Sequence, residues 1–218
     1  MKVYPMEEYQ GLLDKYFGTP SWDLSLPRTG GNNMGMAKSY MEHYWLPESE
    51  YEIYWKPIQE KIFISIYGLS EYIFPDSYEL IAIRAGTLFV EESFNLLMEC
   101  FRSVGDKYFV VIENSIGPIP FRFKYPTDIS WAEFKSGDFI TTVVVDMPNR
   151  EYFVYTASCK CAKYAASEHV RPLDLIAFKR EYEDLFKEKF KVSKEEYEYM
   201  YDEWLPENYK GKVIDNSL

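Results

Sequence analysis

The most glycine-dense stretch of the chain, RTGGNNMGMAKS at residues 28–39, is the first candidate for chemistry. A phosphate-binding P-loop needs a glycine, four residues and then Gly-Lys-Ser/Thr, placed after a buried strand. Gly30 and Gly35 have the required separation, but two residues stand between Gly35 and Lys38. On a helix this offset turns the lysine by roughly 200° away from the loop. The preceding segment contains Pro27 and does not read as a buried strand, so we predict a turn that leads into a helix.

A second candidate combines Cys159 and Cys161 with His169, and Cys100 could add a fourth ligand. Thiolate sulfur and imidazole nitrogen are ligands that zinc prefers in proteins. Structural zinc sites usually present their ligands as two spaced pairs, however, and the second pair is missing from this sequence. We therefore interpret the cysteines as small apolar residues packed near a strand-to-helix junction, and we predict no metal site and no cofactor.

A nucleophilic cysteine is an alternative, because Cys159 or Cys161 could meet His43 or His169 in the folded chain. The sequence has only two histidines, and none of its 35 acidic residues stands in a recognisable catalytic motif. These observations favour a protein that is not an enzyme. A hydrolase or transferase whose site is assembled from distant segments is the main alternative, and a structural or assembly subunit is a third.

Acidic and aromatic residues interleave without any lysine or arginine at residues 42–55, 71–83 and 195–207. Tyrosine and tryptophan rings offer stacking area for a guanidinium, and neighbouring carboxylates can pair with it. The alternative for the last stretch is that Tyr197, Tyr201 and Trp204 form the buried face of an ordinary helix. The predicted partner-binding residues are Glu195, Glu196, Glu198, Tyr199, Asp202, Glu203 and Trp204, with Glu48, Glu50, Glu52 and Trp55 as a second patch.

The charge of the chain narrows the class of partner. It has 24 basic and 35 acidic residues and a formal net charge of −11. Nucleic acids and anionic membranes need a positive surface, so we predict that neither is a partner. A basic protein partner fits the charge, although a negative charge can also serve only to keep a protein soluble.

Three features of the sequence predict where in the cell the protein is found. The first residues, MKVYPMEEYQ, lack the apolar run of a signal peptide. No segment approaches the roughly 18 uninterrupted apolar residues of a membrane span. Three cysteines are an odd number in a long chain, which favours reduced thiols over a disulfide framework. We expect a cytoplasmic protein.

The periodicity of apolar residues predicts the elements that position these candidates. We predict a helical turn capped by Asp128 at 128–137, and a hairpin formed by 138–147 and 150–158. Ser193 and Glu196 form a capping box that begins the last helix. The predicted helices are 6–17, 34–45, 89–105, 160–168, 172–190 and 194–204, and the other strands are 61–68, 78–86, 108–113 and the run from Pro120 to Tyr125.

This order of elements predicts an α+β fold, with a mixed or mostly antiparallel sheet, packed helices and a helical C-terminal segment. The 218 residues suffice for a single domain with a sizeable core. The best candidate boundary lies near residue 192, which would make residues 193–218 a helical appendage.

The composition of the chain resembles that of bacterial immunity proteins, which neutralise toxins. It is acidic, rich in tyrosine and tryptophan, and carries no catalytic motif. The resemblance covers no aligned motif and therefore assigns no functional residue. It implies a non-enzymatic protein-binding module whose partner is a basic toxin or nuclease.

Overall fold

A six-stranded antiparallel sheet forms the centre of the molecule. The computed structural model describes Glu8, Gln10 and residues 32–84, 90–114, 121–137, 151–166 and 173–218. The strands lie in the order β1-β6-β5-β4-β2-β3, and every neighbouring pair is antiparallel. They are β1 (Glu79–Arg84), β2 (Tyr108–Asn114), β3 (Arg122–Pro126), β4 (Glu151–Thr156), β5 (Cys161–Ala165) and β6 (Leu173–Phe178).

Helices pack around this sheet, and the predicted α+β class is confirmed. Helix α2 is continuous from residue 48 to residue 62, with α-helical ends (Glu48–Glu50 and Lys56–Ile62) around a π-helical turn (Tyr51–Trp55). None of the helices in the described ranges is long and apolar enough to cross a membrane. The other helices are α1 (Asn32–Tyr44), α3 (Glu91–Ser103), α4 (Trp131–Lys135), α5 (Glu183–Lys189) and α6 (Lys194–Tyr199), which continues into a π-helical turn (Met200–Trp204).

Both faces of the sheet are buried. Along β4, Tyr152 and Val154 belong to the core on one face, whereas Phe153 and Tyr155 belong to the core on the other. Side chains of α1, α3, α4 and α5 cover the first face. Side chains of α2, of residues 63–78 and of the C-terminal segment cover the second. The sheet is thus the middle layer of three.

Burial on both faces explains why two strands were predicted as helices. Every residue of β5 and of β6 is buried. A strand buried on both faces loses the alternation of apolar and polar residues that identifies a half-exposed strand. The helix predicted at 160–168 is therefore wrong, because β5 lies there. The helix predicted at 172–190 is wrong in its first part, where β6 lies, and right only for α5.

Both edges of the sheet are partly covered by other segments. At the outer edge of β1, Leu80 forms a parallel bridge with Val213, and the N–H of Ile214 donates to the carbonyl oxygen of Leu80 at 2.8 Å. At the outer edge of β3, Trp45 bridges Phe123 in antiparallel fashion. These contacts satisfy edge groups that could otherwise pair with another chain.

Several predicted elements are confirmed. Gly105 follows α3 with φ of 92°, the left-handed conformation that favours glycine after a helix. Phe121, which precedes β3, and Phe123 and Tyr125 within β3 are all buried, as their alternation predicts. The predicted helix at 34–45 and the strands at 78–86 and 108–113 correspond to α1, β1 and β2.

Two local predictions are wrong. Residues 61–68 are not a strand: Lys61 and Ile62 end α2, and Gly68 begins a 3-10 turn with φ of 68°. Apolar β-branched residues gave this segment a strand-like sequence, but it packs over the second face of the sheet instead of joining it. Ser130, and not Asp128, caps α4, because its hydroxyl accepts from the Glu133 N–H at 3.2 Å.

Some predictions fall outside the described residues. Of the helix predicted at 6–17, only Glu8 and Gln10 are described, and both are helical. Of the predicted hairpin, β4 is confirmed, whereas 138–147 lies outside the described ranges. The glycine-rich stretch is described from Asn32 onward, where it forms the start of α1. The predicted helix entrance is confirmed for that part.

One ion pair is buried within the first face of the sheet. The Nζ of Lys163 on β5 lies 2.9 Å from Oδ2 of Asp174 on β6, and both side chains are at most 2% exposed. The other carboxylate oxygen, Oδ1, accepts from the N–H of Ala166 at 3.0 Å. A buried charge is tolerated when it is paired and hydrogen-bonded, and this ion pair helps to meet that condition for both residues.

We expect Lys163→Met to lower the free energy of unfolding by about 3–5 kcal/mol, because it removes the ammonium group that is paired with the buried Asp174 carboxylate. Adding Asp174→Leu should restore part of that loss. Lys56→Met, which breaks the exposed pair with Glu52, is the control and should cost much less, because water screens an exposed ion pair. Urea unfolding measures all three, and a Lys163→Met protein as stable as the control would contradict the argument.

Candidate protein-binding surface

Helix α6 carries the larger of the two predicted patches. Ser193 begins it as predicted: its backbone is extended, with φ of −67° and ψ of 154°, and its hydroxyl accepts from the Glu196 N–H at 3.1 Å. This cap satisfies one of the N–H groups that have no partner in the first turn of a helix. We call the following set the C-terminal surface: Glu195, Glu196, Glu198, Tyr199, Asp202, Glu203 and Trp204.

Three buried anchors fix which side of this segment faces solvent. Met200, Leu205 and Tyr209 are at most 4% exposed and belong to the core on the second face of the sheet. The N–H of Leu205 donates to the carbonyl oxygen of Met200 at 2.8 Å and closes the π-helical turn. Since Met200 points inward, the five carboxylates of the C-terminal surface point to solvent.

A cleft of about 490 Å³ opens along α6. Its most exposed ring is Tyr199, which is 55% exposed and packs edge-on against Trp204 with the ring centroids 5.0 Å apart. Trp204 is only half-buried, so part of its surface remains available. The cleft is lined by Arg84, Ser193, Glu195, Glu196, Tyr199, Met200 and Trp204.

The cleft already holds one guanidinium of the chain itself. Arg84, the last residue of β1, places its Cζ atom 5.9 Å from the centroid of the Trp204 ring. Aromatic rings attract cations in this position. The contact shows that the tryptophan ring is placed where a guanidinium can reach it.

The carboxylates of the C-terminal surface are largely unneutralised. Within the described residues, Glu195, Glu196, Asp202 and Glu203 have no lysine or arginine nitrogen within 4.0 Å. Glu198 lies 3.8 Å from Lys194, but both side chains are mostly exposed, and such pairs contribute little. The surface therefore presents several negative charges beside two aromatic rings.

The alternative of a buried aromatic face holds for part of the helix. Tyr197, Tyr201 and Trp204 are each half-buried, and burial raises the pKa of the Tyr197 hydroxyl. Tyr201 and Trp204 contact the core on the second face of the sheet. These residues thus anchor the helix, whereas Tyr199 and the carboxylates remain at the surface.

Most residues of the second predicted patch contact other residues of the same chain. Trp55 is only 2% exposed, and its indole N–H donates to Glu50 at 3.2 Å. Glu50 also pairs with Lys124 of β3 at 2.6 Å, and Glu52 pairs with Lys56 at 2.7 Å. Of the predicted residues of this patch, Glu48 and Glu52 have exposed side chains, whereas Trp55 is part of the core.

The two patches lie at opposite edges of the sheet. The C-terminal surface contacts β1 through Arg84 and Trp204, whereas the second patch contacts β3 through Glu50 and Lys124. Four strands lie between these two edge strands, and neighbouring strands are roughly 4.8 Å apart. The two patches therefore do not form one continuous surface.

The third acidic stretch, at 71–83, is partly neutralised, because Lys212 pairs with Asp76 at 2.6 Å and lies over the Tyr72 ring.

The cysteines pack as apolar residues, although the junction is a turn between strands. Cys100 and Cys161 are buried in the core, and burial raises the pKa of both thiols, to about 12 for Cys100. Cys159 is half-buried in the turn between β4 and β5, and burial raises its pKa as well. A raised pKa keeps a thiol protonated and a poor nucleophile.

The histidines form no site with these thiols in the described part of the chain. His43 lies at the end of α1, where its Nδ1 is 2.7 Å from the carbonyl oxygen of Ser39. His169 lies outside the described residues. Among the described residues, no group of three histidine, cysteine or acidic side chains could hold a metal ion.

Sequence reasoning missed the charged residues that the fold buries. Besides Lys163 and Asp174, they are Glu113 and Arg122, each at most 4% exposed. The available signal was a single charged residue inside an apolar run, as in LDLIAF around Asp174. For Lys163 and Asp174 the reason is that β5 and β6 were predicted as helices, on which one charge can face solvent. Glu113 and Arg122 lie on strands that were predicted correctly, and there the expectation of one solvent-exposed face hid their burial.

Comparisons of the chain with models of protein families, with curated proteins and with solved structures found no match.

Proposed function

We propose that the chain is a non-enzymatic protein-binding module whose C-terminal surface engages a basic protein. The observation that carries the proposal is the cleft along α6. There, Glu195 and Glu196 lie beside the rings of Tyr199 and Trp204. A guanidinium or ammonium group from a partner would find carboxylates and an aromatic surface in one place.

The charge of the whole chain supports the same class of partner. A net charge of −11 creates a field that attracts a positively charged protein over distances longer than a contact. Electrostatic attraction of this kind raises the association rate and selects against acidic partners. Tyrosine and tryptophan are the residues that most often dominate binding energy at protein interfaces.

The finer proposal is an immunity-type inhibitor of a basic toxin or nuclease. It rests on the resemblance in composition and on the acidic cleft, which could occupy a cationic substrate-binding surface of a nuclease. In that case the protein acts in the cytoplasm, where it blocks the toxin by covering that surface.

We expect the triple charge reversal of Glu198, Asp202 and Glu203 to lysine to weaken partner binding. At low ionic strength the association rate should fall by about 10-fold or more, and its dependence on salt should flatten. Affinity capture from the native host identifies the partner, and surface plasmon resonance at several salt concentrations then measures the rates.

The matched control reverses Glu181, Asp184 and Glu188, three exposed acids near or on α5, and gives the same net charge. Binding by this control should stay closer to wild type. If both triple variants lose binding equally, only the net charge matters, and the C-terminal surface is not the interface.

Tyr199→Ala tests the aromatic part of the cleft separately. Because Tyr199 is mostly exposed, its removal should change the free energy of unfolding by less than about 0.5 kcal/mol. Binding of the captured partner should weaken by about 1–2 kcal/mol, which isothermal titration calorimetry measures. Tyr67→Ala removes another exposed tyrosine, 70% exposed and outside the cleft, and should leave the affinity unchanged. Equal affinities for both variants would argue against the cleft.

A further inference from the structure

Arg122 is a cation held inside the protein. It lies on β3, is 4% exposed, and its Cζ atom is 5.6 Å from the centroid of the Trp45 ring and 5.4 Å from that of Tyr51. Aromatic rings on two sides attract a guanidinium, but they do not supply the negative charge that a buried cation needs. An anion must complete this environment.

The anion is a carboxylate from a distant part of the chain. Oε2 of Glu8 lies 3.5 Å from Nη2 of Arg122, and it accepts from the indole N–H of Trp45 at 3.1 Å. The same oxygen accepts from the backbone N–H of Glu48, the first residue of α2, at 2.9 Å. One carboxylate oxygen therefore accepts two hydrogen bonds and lies within ion-pair distance of a guanidinium. Within the described residues, no other carboxylate lies within 4.0 Å of Arg122.

Glu8 does not use the full donor capacity of Arg122. The Nε of Arg122 is buried and has no hydrogen-bond partner among the described residues. A carboxylate that binds a guanidinium through both of its oxygens would fill Nε together with an Nη group. An unmade hydrogen bond of a buried charged group is costly, so this site favours a further or better placed acceptor.

Contacts that do not involve Glu8 fix the positions of the residues that carry the guanidinium and the two N–H groups. The N–H of Leu46 donates to the carbonyl oxygen of Arg122 at 2.9 Å. Trp45 bridges Phe123 of β3, and its own N–H donates to the carbonyl oxygen of Met41 in α1 at 2.9 Å. The Glu48 N–H is available to an acceptor outside α2, because the first N–H groups of a helix have no acceptor within it.

We propose that Arg122, the Trp45 indole N–H and the Glu48 N–H form a preformed receptor for a carboxylate, and that Glu8 is its exchangeable occupant. Glu8 reaches the receptor from the N-terminal part of the chain, 40 residues before Glu48. Its advantage over a free carboxylate is the high local concentration that the covalent chain provides. Removing that side chain leaves a site that a free carboxylate fills.

Chemical rescue tests the receptor independently of any protein partner. The variant is Glu8→Ala, and the probes are sodium acetate and acetamide, a neutral molecule of nearly the same shape. Sodium chloride at equal ionic strength corrects for screening. Glu48→Gln is the matched control, because it removes one charge from an exposed side chain while keeping the backbone N–H and the Glu8 carboxylate.

We expect the melting temperature of Glu8→Ala to lie several degrees below that of the wild type. Acetate should restore part of this loss with a saturable, millimolar dependence, whereas acetamide and chloride should not. The wild type and Glu48→Gln should not respond to acetate beyond the chloride effect. Adding Trp45→Phe, which removes the indole donor, should weaken the rescue.

Two results would overturn the proposal. One is a Glu8→Ala protein as stable as the wild type. The other is an equal effect of acetate and acetamide, including no effect of either. If Glu8→Ala fails to fold in plain buffer, the refolded fraction of Glu8→Gln in acetate and in acetamide decides in the same way. Loss of partner binding by the C-terminal surface would leave these outcomes unchanged, because the receptor lies at the other edge of the sheet.

Discussion

Burial of the sheet on both faces is the constraint on which the rest of the structure depends. The two cores meet across the backbone of six strands, and β5 and β6 expose none of their residues. Enough apolar surface is removed from water to order segments with little regular structure, such as residues 63–78. The edges then become the sites where other segments can attach. Trp45 forms a bridge with Phe123 at the edge of β3, and Val213 forms a bridge with Leu80 at the edge of β1.

The same burial determines which charged side chains must be paired with an opposite charge. Among the described residues, the two buried cations each pair with an anion: Lys163 with Asp174, and Arg122 with Glu8. A buried guanidinium or ammonium would be too costly without such a partner. At the surface, water screens the carboxylates, so Glu195 and Glu196 of α6 need no cation within 4.0 Å. The arrangement separates the acids that support the fold from those that are free to meet a partner.

The two predicted acidic and aromatic patches show this separation directly. In the second patch, Glu50 accepts a hydrogen bond from the indole of Trp55 and pairs with the ammonium group of Lys124, so its charge is neutralised within the fold. In the C-terminal surface, Met200 turns inward and leaves the carboxylates and Tyr199 in solvent. Similar sequences thus have different roles. The difference arises from the neighbours that the sheet brings to each helix, and for that reason the proposed interface is confined to α6.

The sequence by itself determined the α+β class, the positions of α1, β1 and β2 and the cap at Ser193, because these follow from local residue patterns and hydrogen bonding within a few residues. It also located the acidic and aromatic stretches. Only the tertiary structure decided that 160–168 contains a strand, that Trp55 is buried and that Glu8 meets Arg122. These outcomes depend on contacts between residues far apart in the chain. Local sequence patterns do not specify which distant side chain will cover a face of the sheet or neutralise a buried charge.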